Sequence, residues 1–187
     1  MNRKFISNVN KVVKASWKFL TFSSIISVYL VLVLFPSEPI ANSSGSIGGF
    51  SSSLADGANC TSCHAGTVNS GSGSALITTN IPASGYVPGQ TYTITVEAEH
   101  QSFTTYGFEL TAENGASKAG SFIILSSATT KLVNGGDAVT HKQSGTLGSA
   151  TKTWTVDWTA PGFASSTGTV NFYVCAVNGN GDGDNSG

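Results

Sequence analysis

Cys60, Thr61, Ser62, Cys63 and His64 follow one another without a break. Two thiols three positions apart with an imidazole directly behind them are the groups that attach a c-type haem. The cysteines add to the two vinyl groups of one porphyrin, and the adjacent histidine then lies under the iron as its proximal ligand. The same residues allow a small Cys60–Cys63 disulfide, or half of a zinc site. Zinc would need two more Cys or His ligands at comparable spacing, and the remaining candidates, His100, His141 and Cys175, are isolated single residues. The primary expectation is therefore haem c, with Cys60, Cys63 and His64 as the cofactor-binding residues and His64 as the proximal iron ligand.

The second axial ligand decides between electron transfer and an open iron. Met1 is the only methionine and departs with an N-terminal signal, so His/Met ligation is excluded in the cleaved protein. His141, in Val139-Thr140-His141-Lys142, is the first candidate for the distal position. His100, which ends a strand before Gln101 and Ser102, is the second. A ligand is expected on a reachable loop rather than a buried strand, and an iron with no protein histidine on its distal side stays open as the third case.

A c-type haem requires export, and the N-terminus carries the pattern for it. Arg3, Lys4, Lys11, Lys14 and Lys18 form a basic region ahead of an apolar run from Phe19 to Phe35 that breaks at Pro36. Thr21, Ser23, Ser24 and Ser27 dilute its first half, which leaves the strongly apolar part shorter than a bilayer span. Residues 1–41 are read as a signal peptide cleaved near Ala41, with an uncleaved anchor as the alternative and the only link to a membrane. The mature chain is expected to be secreted or held at the cell surface.

Cleavage leaves roughly 145 residues, enough for one domain with a hydrophobic core. Charged residues make up 10% of the chain against roughly 25% in an ordinary soluble protein, a balance typical of exported β-proteins. The net charge of −1 includes the basic signal, so the mature part is more acidic, and it lacks the basic patch that nucleic-acid binding requires. Residues 42–74 are rich in Gly and Ser and read as a flexible arm carrying the haem motif.

From about Ala75 short β-runs take over: Ala75 to Ile81, Thr91 to Glu99, Tyr106 to Thr111, Ser121 to Leu125, Thr129 to Val133, Ala138 to His141, Thr151 to Trp158 and Thr167 to Val177. Each is bounded by Gly, Pro or Asn, and no segment after the signal keeps a helical period. The pattern predicts an all-β, immunoglobulin-like antiparallel sandwich over residues 75–187, with Trp154, Trp158, Phe172 and Tyr173 in its core.

Four stretches carry a more specific likeness: Gly85-Tyr86-Val87-Pro88-Gly89-Gln90-Thr91-Tyr92, Gly107-Phe108-Glu109-Leu110-Thr111, Thr153-Trp154-Thr155-Val156-Asp157-Trp158-Thr159-Ala160-Pro161, and Gly168-Thr169-Val170-Asn171-Phe172-Tyr173. They resemble the bacterial relatives of the Reeler domain, and in particular the family called choice-of-anchor V. The resemblance implies a Reeler-type β-sandwich preceded by a Gly-rich segment with C-x-x-C-H, and a histidine in the region of His141. It also implies a secreted or surface domain with a C-terminal sorting tail or other anchor beyond Gly187, the last strand being cut short.

The other motifs are weaker. Cys175, in Tyr173-Val174-Cys175-Ala176-Val177, reads as a small buried hydrophobe of the core. Asn178, Asn180, Asp182 and Asp184 alternate among glycines in a manner that suggests a calcium loop, but the bidentate Glu of an EF-hand loop starting at Asn178 would fall past Gly187, and a Gly-rich turn after the last strand explains the composition without an ion, so calcium is not expected. No nucleophile elbow is present, and Glu97, Glu99, Glu109 and Glu113 read as isolated, solvated groups, so the chain is not expected to be an enzyme. Two functions remain: an exported c-type haem domain for electron transfer or redox and ligand sensing, with an unidentified redox partner or surface component, or a haem-free adhesive or structural module with a Cys60–Cys63 disulfide.

Overall fold

The computed structural model describes residues 42–162 and 168–182. The signal segment, including the expected cleavage near Ala41, and Asp184 lie outside the described residues. Everything described belongs to one compact unit, Pro39–Gly187. Its described residues form nine strands: β1 (Ser74–Thr79), β2 (Thr91–Glu99), β3 (Thr105–Asn114), β4 (Ser117–Lys118), β5 (Ser121–Ile124), β6 (Thr130–Val133), β7 (Ala138–His141), β8 (Thr151–Thr159) and β9 (Asn171–Gly179). The only helical pieces among the described residues are three single 3-10 turns, and no helix there is long and apolar enough to cross a membrane.

The strands pair into two antiparallel sheets, as the turn-punctuated pattern predicts. One has the order β1-β2-β8-β5. In the other, β3 is central, with β9 along one side and β7 followed by β6 along the other, while β4 folds back on the end of β3. Strict alternation makes the core. Tyr92, Ile94, Val96 and Ala98 of β2 and Trp154, Val156 and Trp158 of β8 face inward from the first sheet. Tyr106, Phe108, Leu110 and Ala112 of β3 and Val139 of β7 meet them from the second. The aromatic rings interlock, Phe108 against Trp154 at 4.4 Å and Trp158 edge-on to Phe172 at 5.0 Å. Both indole N–H groups are satisfied, Trp154 donating to the Gly145 carbonyl at 2.8 Å and Trp158 to that of Ala119 at 2.9 Å.

Strand β9 differs from the core expected of it. Phe172, Val174 and Ala176 pack on the core, so Tyr173 and Cys175 at the intervening positions face the opposite side of the sheet. Cys175 is buried all the same, and so are Glu109, Thr111 and Glu113 on the outer face of β3. Something covers the outer face of this sheet, and it is the segment ahead of β1.

Candidate functional site

The Gly/Ser-rich residues read as a free arm lie along the five-stranded sheet and are tied to it by polar contacts. The backbone N–H groups of Gly49 and Phe50 donate to Glu109 Oε1 at 2.8 and 3.1 Å, and that of Ala55 donates to Glu113 Oε2 at 3.2 Å. Ser46 N–H reaches Thr140 Oγ1 on β7 at 3.0 Å. Lys118 closes the arrangement, its Nζ lying 2.6 Å from Asp56 Oδ1 in the arm and 2.9 Å from Glu113 Oε1 on β3. Glu109 and Glu113, expected in solvent, are 1% and 0% exposed. The backbone of the covering segment replaces the water they would have had.

This docking produces a pH dependence. Burial alone would push the Asp56 and Glu113 carboxyls up, but hydrogen bonds and charge from Lys118, with further donors from Ser51, Ser53 and Ala55, outweigh it and hold both below their ordinary values of 3.8 and 4.5. Burial would likewise lower Lys118, and its two carboxylate partners raise it above 10.5. A lowered carboxylate stabilises the fold fully above its unfolded value and loses that contribution as pH falls through the native one. A raised lysine does the reverse on the alkaline side. The stabilisation from this cluster is therefore expected to be level between about pH 4.5 and 10.5 and to fall away on both sides, which thermal melts across that range will test.

The covering segment ends in the motif turn. Asn59 caps the 3-10 turn Cys60–Ser62, its Oδ1 accepting from Thr61 N–H at 2.9 Å. The N–H groups of Cys63 and His64 both donate to the Cys60 carbonyl, at 3.1 and 2.9 Å. One short turn thus holds both thiols and the imidazole at the edge of a cleft of about 520 Å³, within the ordinary range for a small-molecule site. Its walls come from the start of β3, the ends of β7 and β9, and the segment around Phe50. Ile47 and Leu147 on its rim are 76% and 70% exposed, apolar surface that an apolar occupant would cover.

Cys60, Cys63, His64 and His141 all line this cleft. His141 reaches it from the last position of β7, the strand end expected of it, but is only 8% exposed rather than on a reachable rim. Its Nδ1 sits against the Phe108 backbone, 3.0 Å from the N–H and 3.4 Å from the carbonyl, while Nε2 has no hydrogen-bond partner among the described residues. The ring packs over Gly107, where a Cβ would lie 2.6 Å from His141 Cε1. Any side chain at 107 would displace the imidazole. Burial pushes His141 down to about 4, with the nearby Lys131 and His64 charges adding to it against a Phe108 backbone contact, and burial lowers His64 as well. Burial thus disfavours the imidazolium form at both residues.

His100 is not among the residues lining the cleft. It stacks on Phe103 at 4.0 Å, its Nε2 lies 3.1 Å from Ser72 Oγ, and its Nδ1 accepts from Ser102 N–H. The Asn/Asp tail is likewise engaged within the protein, Asn178 donating to the Glu99 carbonyl and Asn180 to Asp182.

Two residues not anticipated as site residues stand beside the motif. Cys175 Sγ accepts the Cys60 N–H at 3.1 Å. The closeness of the two sulfurs raises the Cys60 thiol and lowers Cys175 to about 7. Cys175, which accepts the Cys60 N–H, is the sulfur that carries negative charge more readily. Glu109, the cross-strand neighbour of Cys175, lines the cleft with an Oε2 that is buried and has no partner. An unpaired carboxylate oxygen in such a place is costly, and a cationic occupant would offset it. Among the described residues no three His, Cys, Asp or Glu side chains converge tightly enough to hold a bare metal ion. A porphyrin iron, already held by four pyrrole nitrogens, would ask the protein for only one or two ligands.

A two-sheet antiparallel sandwich with its outer face strapped by an N-terminal segment defines the class of domain. The Reeler domain family model matches residues 58–180, and the chain belongs to that family. Two crystal structures of the human F-spondin reeler domain are similar to it. Fragment 2 is 24% identical, covering 56% of this chain and 74% of that one with a TM-score of 0.44. Fragment 1 is also 24% identical, over 58% and 76%, with a TM-score of 0.41. The Reelin-N domain of F-spondin is 26% identical over 57% and 73%, with a TM-score of 0.44. No curated protein matches the chain.

Proposed function

We propose that this Reeler domain is an exported, non-enzymatic module that carries one covalently attached c-type haem in the cleft and passes single electrons. Cys60 and Cys63 supply the thioether sulfurs, His64 the proximal ligand and His141 the distal one. The observation that carries this reading is the convergence on one cleft of the C-x-x-C-H turn with His141, a residue 77 positions or more beyond it in the chain. When bound, the haem supplies an iron that cycles between ferric and ferrous states. The rest is the work of the chain. The capped turn fixes the spacing of the two thiols, Gly107 leaves room for the His141 ring, and the tautomer with Nδ1–H turned to the Phe108 carbonyl, 3.4 Å away, would leave Nε2 as the nitrogen offered to the iron. Glu109 places a buried carboxyl group beside the site. Reeler domains are extracellular modules, which agrees with the exported reading of the N-terminus.

The test is thioether chemistry. In a host with a haem-attachment system, Cys60→Ala and Cys63→Ala are each expected to lower covalently bound haem severely, and His64→Ala to leave attached haem with altered ligation. Variants that load haem as well as the parent would refute the assignment. A second reading, a haem-free extracellular adhesion or structural module with a Cys60–Cys63 disulfide, is favoured by one observation: protein groups alone, through Glu109, Glu113, Asp56 and Lys118, hold the covering segment in place.

A further inference from the structure

Cys175 has no task in holding a haem, yet it is the residue that the motif turn touches. The Cys60 N–H meets Cys175 Sγ at 3.1 Å. That nitrogen is one bond from the Cys60 Cα, and that sulfur is two bonds from the Cys175 Cα, so the two Cα atoms are separated by at most about 7.4 Å, a ceiling reached only with all three vectors in line and otherwise inside the range a disulfide spans. Both residues are held there independently. Cys175 sits in the middle of β9 opposite Glu109, and Cys60 opens a turn capped by Asn59. The fold itself brings together two thiols 115 positions apart.

We propose that Cys60 and Cys175 form the disulfide of the haem-free exported chain, leaving Cys63 as the free thiol. The bond takes two electrons and two protons from the two thiols, and in an oxidising compartment these pass to a disulfide-bearing oxidant that leaves as its dithiol. A Cys60–Cys63 bond would instead draw Cys60 away from its present contact and close a ring of only four residues, which restricts the unfolded chain far less than a ring of about a hundred. The pairing stands without the haem reading. One consequence rests on that reading: Cys60 can make its thioether only after a dithiol reductant has returned two electrons and two protons, so haem loading is gated by reduction.

The test uses the full chain exported from a host without haem-attachment machinery, so its outcome is separate from that of the haem assignment. Free thiols are blocked with N-ethylmaleimide in acid-denatured protein, which is then digested with trypsin without reduction. Cleavage at Lys118 and Lys152 puts Cys175 on a different peptide from Cys60 and Cys63. The expected result is a disulfide-linked pair of these peptides with one blocked thiol, retained at the parent yield in Cys63→Ser. An unlinked, blocked Cys175 peptide in the parent, or loss of the link in Cys63→Ser, would overturn the pairing.

Discussion

Lys118→Met is expected to destabilise the domain by about 3–5 kcal/mol, because it strips the cation from a buried cluster and leaves the stem of the side chain in place. The Asp56 and Glu113 side chains are 3% and 0% exposed, and the Lys118 ammonium bridges them while also donating to Thr111 Oγ1 at 3.0 Å. Without it two carboxylates face each other out of water across the junction of the covering segment and β3. Chemical denaturation at pH 7 measures the loss. A second signature separates this cause from poor packing: the variant should regain stability as the pH falls through the carboxylate range, since protonation now relieves repulsion, where the parent loses it. The covering segment should also become the first site of limited proteolysis. A change of less than about 0.5 kcal/mol, the size of an ordinary surface substitution, would mean that the cluster does not hold the segment.

His141→Ala is expected to turn a low-spin, six-coordinate haem spectrum into a high-spin one, and added imidazole should restore the parent form. The residue enters the cleft from the end of β7 with its Nε2 unpaired and its imidazolium form disfavoured by burial, and no methionine other than Met1 is available to compete. A bis-histidine iron should lack the near-infrared sulfur–iron band and have a potential below that of His/Met cytochromes. His100→Ala, at a residue stacked on Phe103 outside the cleft, should keep the parent spectrum. Should His141→Ala keep it too, neither histidine is axial and the iron is open to external ligands.

The strands were readable because each buries one face, and the alternation of β2 and β8 reports that directly. The bounds of β2 and β7 coincide with those expected, whereas β4 is two residues long and carries no period to detect. The covering segment was not readable for a physical reason. Its attachment is made by backbone N–H groups of a Gly/Ser-rich stretch, which leave no side-chain pattern, to carboxylates at alternate positions of β3 that look like any solvated strand face. Cys175 is a different case. The sequence Phe172, Val174, Ala176 already marks the core side of β9, and the parity of Cys175 places it opposite, information that an all-apolar run around it conceals. His141 was identified as a candidate from its residue type, but its burial at a strand end and its dependence on Gly107 are products of tertiary packing.

The measurement that bears most directly on the central claim is the visible spectrum of the full chain exported by a host with haem-attachment machinery, taken before and after extraction with acidified organic solvent. A Soret band that stays with the protein through extraction, with the haem mass on the peptide containing Cys60 to His64, is the result expected of thioether attachment in this cleft. A colourless protein, or a colour that leaves entirely with the solvent, would contradict it.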